Sequence, residues 1–219
     1  MKIFLDTANI ADIKKWVATG LIDGVTTNPS HLSKEGGDPR LQVLEICSLL
    51  PDGEISIEVT EKDPEAVYKQ AKIIAALAAN VVVKIPCHAD YYEVINRLVQ
   101  EGVRLNITLV FSLLQGLMMC KLNVAMISPF VGRLEDIKVD GINLLEQLRY
   151  MVDFYGYETE ILAASLRTVE HFHKAVAAGV DIVTIPVSVF EQAIQHPLTD
   201  QGMLKFDADW KKLGISQFP

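Results

Sequence analysis

The chain has 219 residues, half of them apolar, enough to bury one substantial core. Its 28 acidic residues outnumber the 20 basic ones, leaving a net charge of −8, and no block of lysine or arginine offers a footprint for nucleic acid or an anionic membrane. A polyanionic macromolecule therefore fits poorly as a partner, whereas a small phosphorylated molecule needs only one or two well-placed arginines.

In chain order, β-branched or apolar runs predict strands near 3–6, 23–27, 54–59, 80–85, 104–110, 125–129, 160–164 and 181–186, with helical patterns filling most intervals. Asn9 precedes an amphipathic run and can cap its helix, and Asp63-Pro64-Glu65 opens the next long one. Near the end, a helix is expected over about 201–213. Its Met203, Leu204, Phe206, Trp210 and Leu213 exceed what a lone terminal helix needs, so it should pack on a neighbouring subunit or on its own barrel. Strand starts recur at intervals of roughly 20 to 35 residues, the length of a βα unit, which predicts a parallel sheet with helices outside. The expectation is an α/β protein, a single (β/α)8 TIM barrel over residues 1–219 with an extra C-terminal helix. An open doubly wound sheet ranks second, because the first βα turn, Asp6-Thr7-Ala8-Asn9, lacks a glycine-rich dinucleotide fingerprint.

Cys47, Cys87 and Cys120 are odd in number and widely spaced, a pattern that suits a reducing cytoplasm and offers no zinc motif. Lys2-Ile3-Phe4-Leu5-Asp6 shows no signal-peptide pattern, and the longest nearly apolar stretch, residues 73–83, is too short for a bilayer and contains Asn80.

The expected strand ends are unusually polar. Asp6 ends the first, Thr26 and Asn28 the second, Glu58 and Thr60 the third, and Lys84 the fourth. Asn106 and Thr108 lie on the fifth, Ser128 on the sixth, and Ser165 and Arg167 on or after the seventh. In a closed barrel these ends converge on one mouth. Residues two apart share a strand face, so Ser56, Glu58 and Thr60 oppose Ile55, Ile57 and Val59, while Asn106 and Thr108 oppose Ile107 and Leu109. Singly, each has a plain explanation: Asp6 as a helix cap, Asn28-Pro29 as a turn, Glu58 paired with a surface lysine, Lys84 reaching water along its own methylenes. Together they put two carboxylates, an amine and several hydrogen-bonding groups at one end of a barrel.

A lysine flanked by two carboxylates suits amine catalysis on a carbonyl: the neutral amine attacks a ketone, an acid or base moves the protons that expel water, and the iminium withdraws electrons from a neighbouring carbon–carbon bond. An ionised carboxylate in tight contact would keep the amine protonated, so the expectation is proton transfer, through water, in place of a tight ion pair with Lys84.

Six segments, in order, resemble the transaldolase motifs: Leu5-Asp6-Thr7, Thr26-Thr27-Asn28-Pro29-Ser30, Val83-Lys84-Ile85-Pro86, Asn106 through Ser112, Ser128-Pro129-Phe130-Val131-Gly132-Arg133 and Ala164-Ser165-Leu166-Arg167. The resemblance spans roughly residues 3 to 212 and is closer to the short subfamily, which includes fructose-6-phosphate aldolase, than to the longer enzymes. It implies that Lys84 forms a Schiff base with a ketose phosphate, that Asp6 takes the proton of the hydroxyl beyond the scissile bond, and that Glu58 with Thr108 holds the water of imine formation and hydrolysis. It further implies that Asn28, Asn106 and Ser128 orient the dihydroxyacetone portion and that Arg133 and Arg167, assisted by Ser165, bind phosphate. Found alone, the arginines would read as rim salt bridges to residues such as Glu135. No metal or organic cofactor is implied, and a ring-like homo-oligomer is.

The aldolase cousin carries glutamine in place of Glu58 and tyrosine in place of Phe130, so both positions here match the transferase. The implied reaction moves a dihydroxyacetone unit between sedoheptulose 7-phosphate and glyceraldehyde 3-phosphate, giving erythrose 4-phosphate and fructose 6-phosphate. The alternatives are an aldolase that releases free dihydroxyacetone and a non-catalytic barrel that binds sugar phosphates. Leu166 stands where phenylalanine is common, and the loop Cys87-His88-Ala89-Asp90 departs from the family pattern. Adjacent residues on an extended chain point apart, so Cys87 and His88 read as loop residues; His171 and His173, two apart on a helix, read as surface or packing and not as metal ligands.

Overall fold

In a computed structural model, which describes residues 1–214, eight parallel strands close into a barrel in chain order. They are β1 (Lys2–Asp6), β2 (Gly24–Thr26), β3 (Glu54–Glu58), β4 (Val81–Pro86), β5 (Leu105–Val110), β6 (Met126–Pro129), β7 (Glu160–Ala163) and β8 (Ile182–Ile185), and β8 pairs back onto β1. The expected TIM barrel is present; residues 215–219 of the expected domain lie outside the described residues.

Two apolar cores follow from strand alternation. Residues facing outward, such as Leu5, Val25, Ile55, Ile57, Val83 and Ile85, pack with the helices in one large cluster. Phe4, Val82, Met126, Leu162 and Ile182 form a separate small cluster that plugs the barrel's interior. Gly24 makes room for that plug, since a Cβ there would stand 2.5 Å from the Phe4 ring and 2.5 Å from the Glu54 carbonyl oxygen. Two residues along from the plug, the inward positions become Asp6, Lys84, Ser128, Ala164 and Thr184, and most are polar.

The helices lie outside: α1 (Ile10–Val17), α2 (Pro29–Glu35), α3 (Pro39–Leu49), α4 (Pro64–Ala75), α5 (Tyr92–Gln100), α6 (Leu113–Lys121), α7 (Val131–Asp136), α8 (Gly141–Tyr155), α9 (Val169–Ala177), α10 (Val187–Ala193) and α11 (Pro197–Lys212). Asn9 and Asp63 cap α1 and α4 as expected, their Oδ1 atoms accepting the N–H groups of Asp12 and Ala66 at 3.0 Å. The terminal helix begins earlier than expected, at 197 and not 201, because Pro197 suits its first turn and His196 Nδ1 accepts the Leu198 N–H at 3.2 Å. None of its described residues is buried, and Met203, Leu204, Phe206 and Leu213 face solvent. No helix among the described residues is long and apolar enough to cross a membrane.

Candidate active site at the barrel mouth

Register builds the centre of the site. Parallel pairing sets Glu58 beside Lys84 and Lys84 beside Asn106, so three polar side chains from β3, β4 and β5 share one inward level. Lys84 is buried, with Nζ 3.0 Å from Glu58 Oε2 and donating to the Thr27 carbonyl at 3.3 Å. The expectation that water would separate amine and carboxylate is thereby corrected: in-register neighbours on adjacent strands meet directly. Neither Lys84 reaching bulk water nor Glu58 pairing with a surface lysine describes these residues.

Asp6 approaches from β1. Its Oδ1 accepts the Thr26 hydroxyl at 2.9 Å, and Thr26 shares a further hydrogen bond at 2.6 Å with Thr184 of β8, the strand on the other side of β1. His31 Nε2 stands 3.5 Å from the same Oδ1. Burial pushes the Asp6 carboxyl up, yet His31, the charge of Lys84 and the Thr26 hydroxyl together hold it below its ordinary value. Asp6 caps no helix; Asn9 does that.

A buried chain of hydrogen bonds backs the opposite wall. Asn106 Nδ2 donates to Ser56 Oγ at 3.1 Å, and Ser128 Oγ donates to Asn106 Oδ1 at 2.6 Å, which fixes the amide's orientation. Thr108 is buried and its Oγ1 has no partner among the described residues. Just beyond it, Leu109 takes φ 59° where the β5–β6 register slips, so simple alternation does not extend to Leu109.

A cavity of about 220 Å³ opens over these groups, lined by Asp6, Asn28, Lys84, Ser128, Phe130, Arg133, Ser165 and Arg167 among others. Glu58, Thr108 and Asn106 are not among its lining residues; Glu58 touches Lys84 and Asn106 supports Ser128. Asn28 has a second duty, its Oδ1 capping α2 through the His31 N–H at 2.9 Å. Arg133 lies over the Phe130 ring at 5.2 Å. Arg167 makes a two-pronged pair with Asp136, at 2.6 and 2.8 Å, and Glu135 instead meets His171 at 2.7 Å. Gly132 admits this crowding, because its Cβ would fall 2.6 Å from the Ser165 carbonyl oxygen. Ser165 itself has φ 59°.

Burial pushes the Cys87 thiol up, the wrong direction for a nucleophile, and His88 Nδ1 accepts the Asp90 N–H at 3.3 Å at the head of a short 3₁₀ turn. His31 and Thr184 were not among the residues that sequence reasoning singled out. Thr184 follows from the inward register of β8; His31 follows from its place three residues after a capping asparagine.

Comparison with known proteins agrees with this architecture. A crystal structure described as a "putative fructose-1,6-biphosphate aldolase" from Coccidioides immitis superposes with a TM-score of 0.60 at 13% identity, covering 91% of this chain and 81% of that one; it shares the fold. A protein named "Probable transaldolase" from Dehalococcoides mccartyi is 48% identical over 97% of this chain and 99% of its own length. One of the same name from Lactiplantibacillus plantarum is 46% identical over 99% of this chain and 100% of its own length. The family model described as "Transaldolase/Fructose-6-phosphate aldolase" matches residues 3–217, and the chain therefore belongs to that family.

Proposed function

We propose that the chain is a transaldolase that moves a dihydroxyacetone unit reversibly from sedoheptulose 7-phosphate to glyceraldehyde 3-phosphate, giving erythrose 4-phosphate and fructose 6-phosphate in pentose-phosphate interconversion. The observation that carries this reading is a buried amine, Lys84 Nζ, which lines a cavity together with Asp6 and two arginines and contacts the Glu58 carboxylate.

Lys84 passes a proton to Glu58 across their 3.0 Å contact and attacks the ketose C2 as a free amine. Glu58 returns that proton as hydroxide leaves the carbinolamine as water, and the unpartnered Thr108 hydroxyl supplies a hydrogen bond for that water. In the iminium, the C3–C4 electron pair flows toward nitrogen while Asp6 accepts the C4 hydroxyl proton. The O–H electrons become the new carbonyl bond, the aldehyde leaves, and an enamine remains on Lys84. An acceptor aldehyde then runs these steps backward, with Asp6 returning its proton to the new alkoxide.

Ser128, fixed by Asn106, and Asn28 orient the hydroxyls of the three-carbon unit. Arg133 and Arg167 hold the phosphate with Ser165 beside them, Arg167 exchanging one anionic partner, Asp136, for another. The chemistry draws on protein side chains alone and needs no cofactor. Glu58 and the apolar Phe130 wall support transfer over release of free dihydroxyacetone. The test is fructose 6-phosphate given with and without erythrose 4-phosphate. Sedoheptulose 7-phosphate formed only with the acceptor is expected, and free dihydroxyacetone without it would replace transfer by aldol cleavage.

The solvent-facing apolar residues of α11 support a ring-like homo-oligomer, which sedimentation would reveal. The free thiols of Cys47, Cys87 and Cys120 support a cytoplasmic setting.

A further inference from the structure

His31 has no part in the steps above, yet it stands against the group that must move the hydroxyl proton. Its place is dictated locally: Asn28 caps α2, Pro29 opens the first turn, and the His31 N–H is tied to Asn28 Oδ1 at 2.9 Å. Because β2 pairs with β1, this turn lies beside the end of β1, and the ring's Nε2 comes 3.5 Å from Asp6 Oδ1. Both side chains are partly shielded, 27% and 24% exposed, so the contact is neither fully screened by water nor sealed from it.

The surrounding charges are few. Lys84 from β4 faces Asp6, with Glu58 from β3 paired to it; Arg133 from α7 and Arg167 beyond β7 line the same cavity. On α2 itself Lys34 is exposed, and Glu35 accepts a hydrogen bond from Asn9 Nδ2 at 3.0 Å. Thr26 and Thr184 add hydroxyls but no charge. Imidazole is the side-chain type that gains charge in mildly acidic solution, and His31 brings one into contact with Asp6.

We propose that His31 is a positioning residue for the transfer reaction: its imidazolium holds the Asp6 carboxylate ionised and in place, so that Asp6 can still accept the substrate's hydroxyl proton in mildly acidic solution. The proposal rests on the transaldolase reading and deepens it. The direction of the Asp6 shift agrees: burial pushes the carboxyl up, and His31 leads the groups that bring it below its ordinary value. Removing the imidazolium moves the carboxyl up and, with it, the acid limb of the reaction.

The experiment compares wild type, His31→Gln and His31→Lys by two readouts: the pH profile of kcat/KM for transfer, and the ¹³C titration of the Asp6 carboxyl. In His31→Gln both the acid limb and the carboxyl titration should move to higher pH, with kcat/KM on that limb reduced about tenfold for each unit of displacement. In alkaline solution, where Asp6 is ionised with or without its neighbour, wild type and His31→Gln should converge. His31→Lys, which keeps a cation, should retain acid-side activity. A loss in His31→Gln that is equal at every pH, or an Asp6 titration unmoved in that variant, would overturn the proposal. A wild-type protein that transfers nothing, with the Asp6 titration still moved by His31→Gln, would sink the transaldolase reading while upholding the His31–Asp6 coupling.

Discussion

Lys84→Met should both silence the chemistry and destabilise the fold, and the second effect gauges the pair at the centre of the site. Lys84 and Glu58 side chains are 7% and 16% exposed with 3.0 Å between their charges. Removing one member of a fully buried pair strands the other charge, at about 3–5 kcal/mol. Glu58 keeps some exposure, so the cost here should be about 2–3 kcal/mol. Adding Glu58→Gln removes the stranded charge and keeps the shape, and the double variant should recover about 1–2 kcal/mol of that loss. Urea unfolding of wild type, both single variants and the double, at neutral pH and with unchanged slopes, measures the coupling. A double variant whose cost equals the sum of the singles within about 0.5 kcal/mol would refute a direct, desolvated contact.

Asp6 makes a pH-dependent contribution. Its carboxyl lies below its ordinary value in the fold, so it stabilises the protein above the ordinary carboxylate range, and that stabilisation is lost as pH falls through the lowered value. The stability gap between wild type and Asp6→Asn should therefore be present at neutral pH and close in strong acid; a gap that widens on acidification in urea titrations would contradict the assignment. Gly24→Ala forces a methyl onto the Phe4 ring and the Glu54 carbonyl, and calorimetry should register a loss of about 1–3 kcal/mol without a change in the Lys84 chemistry. Arg167→Ala removes a charged hydrogen-bonding fork from the cavity wall and takes away the two-pronged partner of Asp136. Steady-state kinetics should show kcat/KM for phosphorylated ketoses down about 10- to 100-fold, with little change for an unphosphorylated analogue.

The barrel was legible because its strands announce themselves twice, as β-branched runs and as βα-length spacing. The site's centre was legible for a related reason: alternation alone puts Glu58, Asn106 and Thr108 on the inward face, and parallel register then seats Lys84 between Glu58 and Asn106. What alternation cannot convey is distance, which is why a direct Lys84–Glu58 contact was not foreseen. Pairings between separate loops were also hidden. Arg167 meets Asp136 and His171 meets Glu135 only once β6 and β7 are neighbours, and nothing local distinguishes Asp136 from Glu135 as the partner. His31 escaped notice because its role depends on which way the first turn of α2 faces. The early start of α11 had a local signal, Pro197 after His196, masked by the polar run that follows. Leu109 gave none, since a non-glycine residue at φ 59° carries no mark in the sequence.

The central claim is that one particular amine bonds to the ketose. Borohydride reduction in the presence of fructose 6-phosphate, followed by peptide mass mapping, tests it most directly. The account predicts a stable adduct on Lys84, absent from Lys84→Met. An adduct on any other lysine, or none at all, would contradict it.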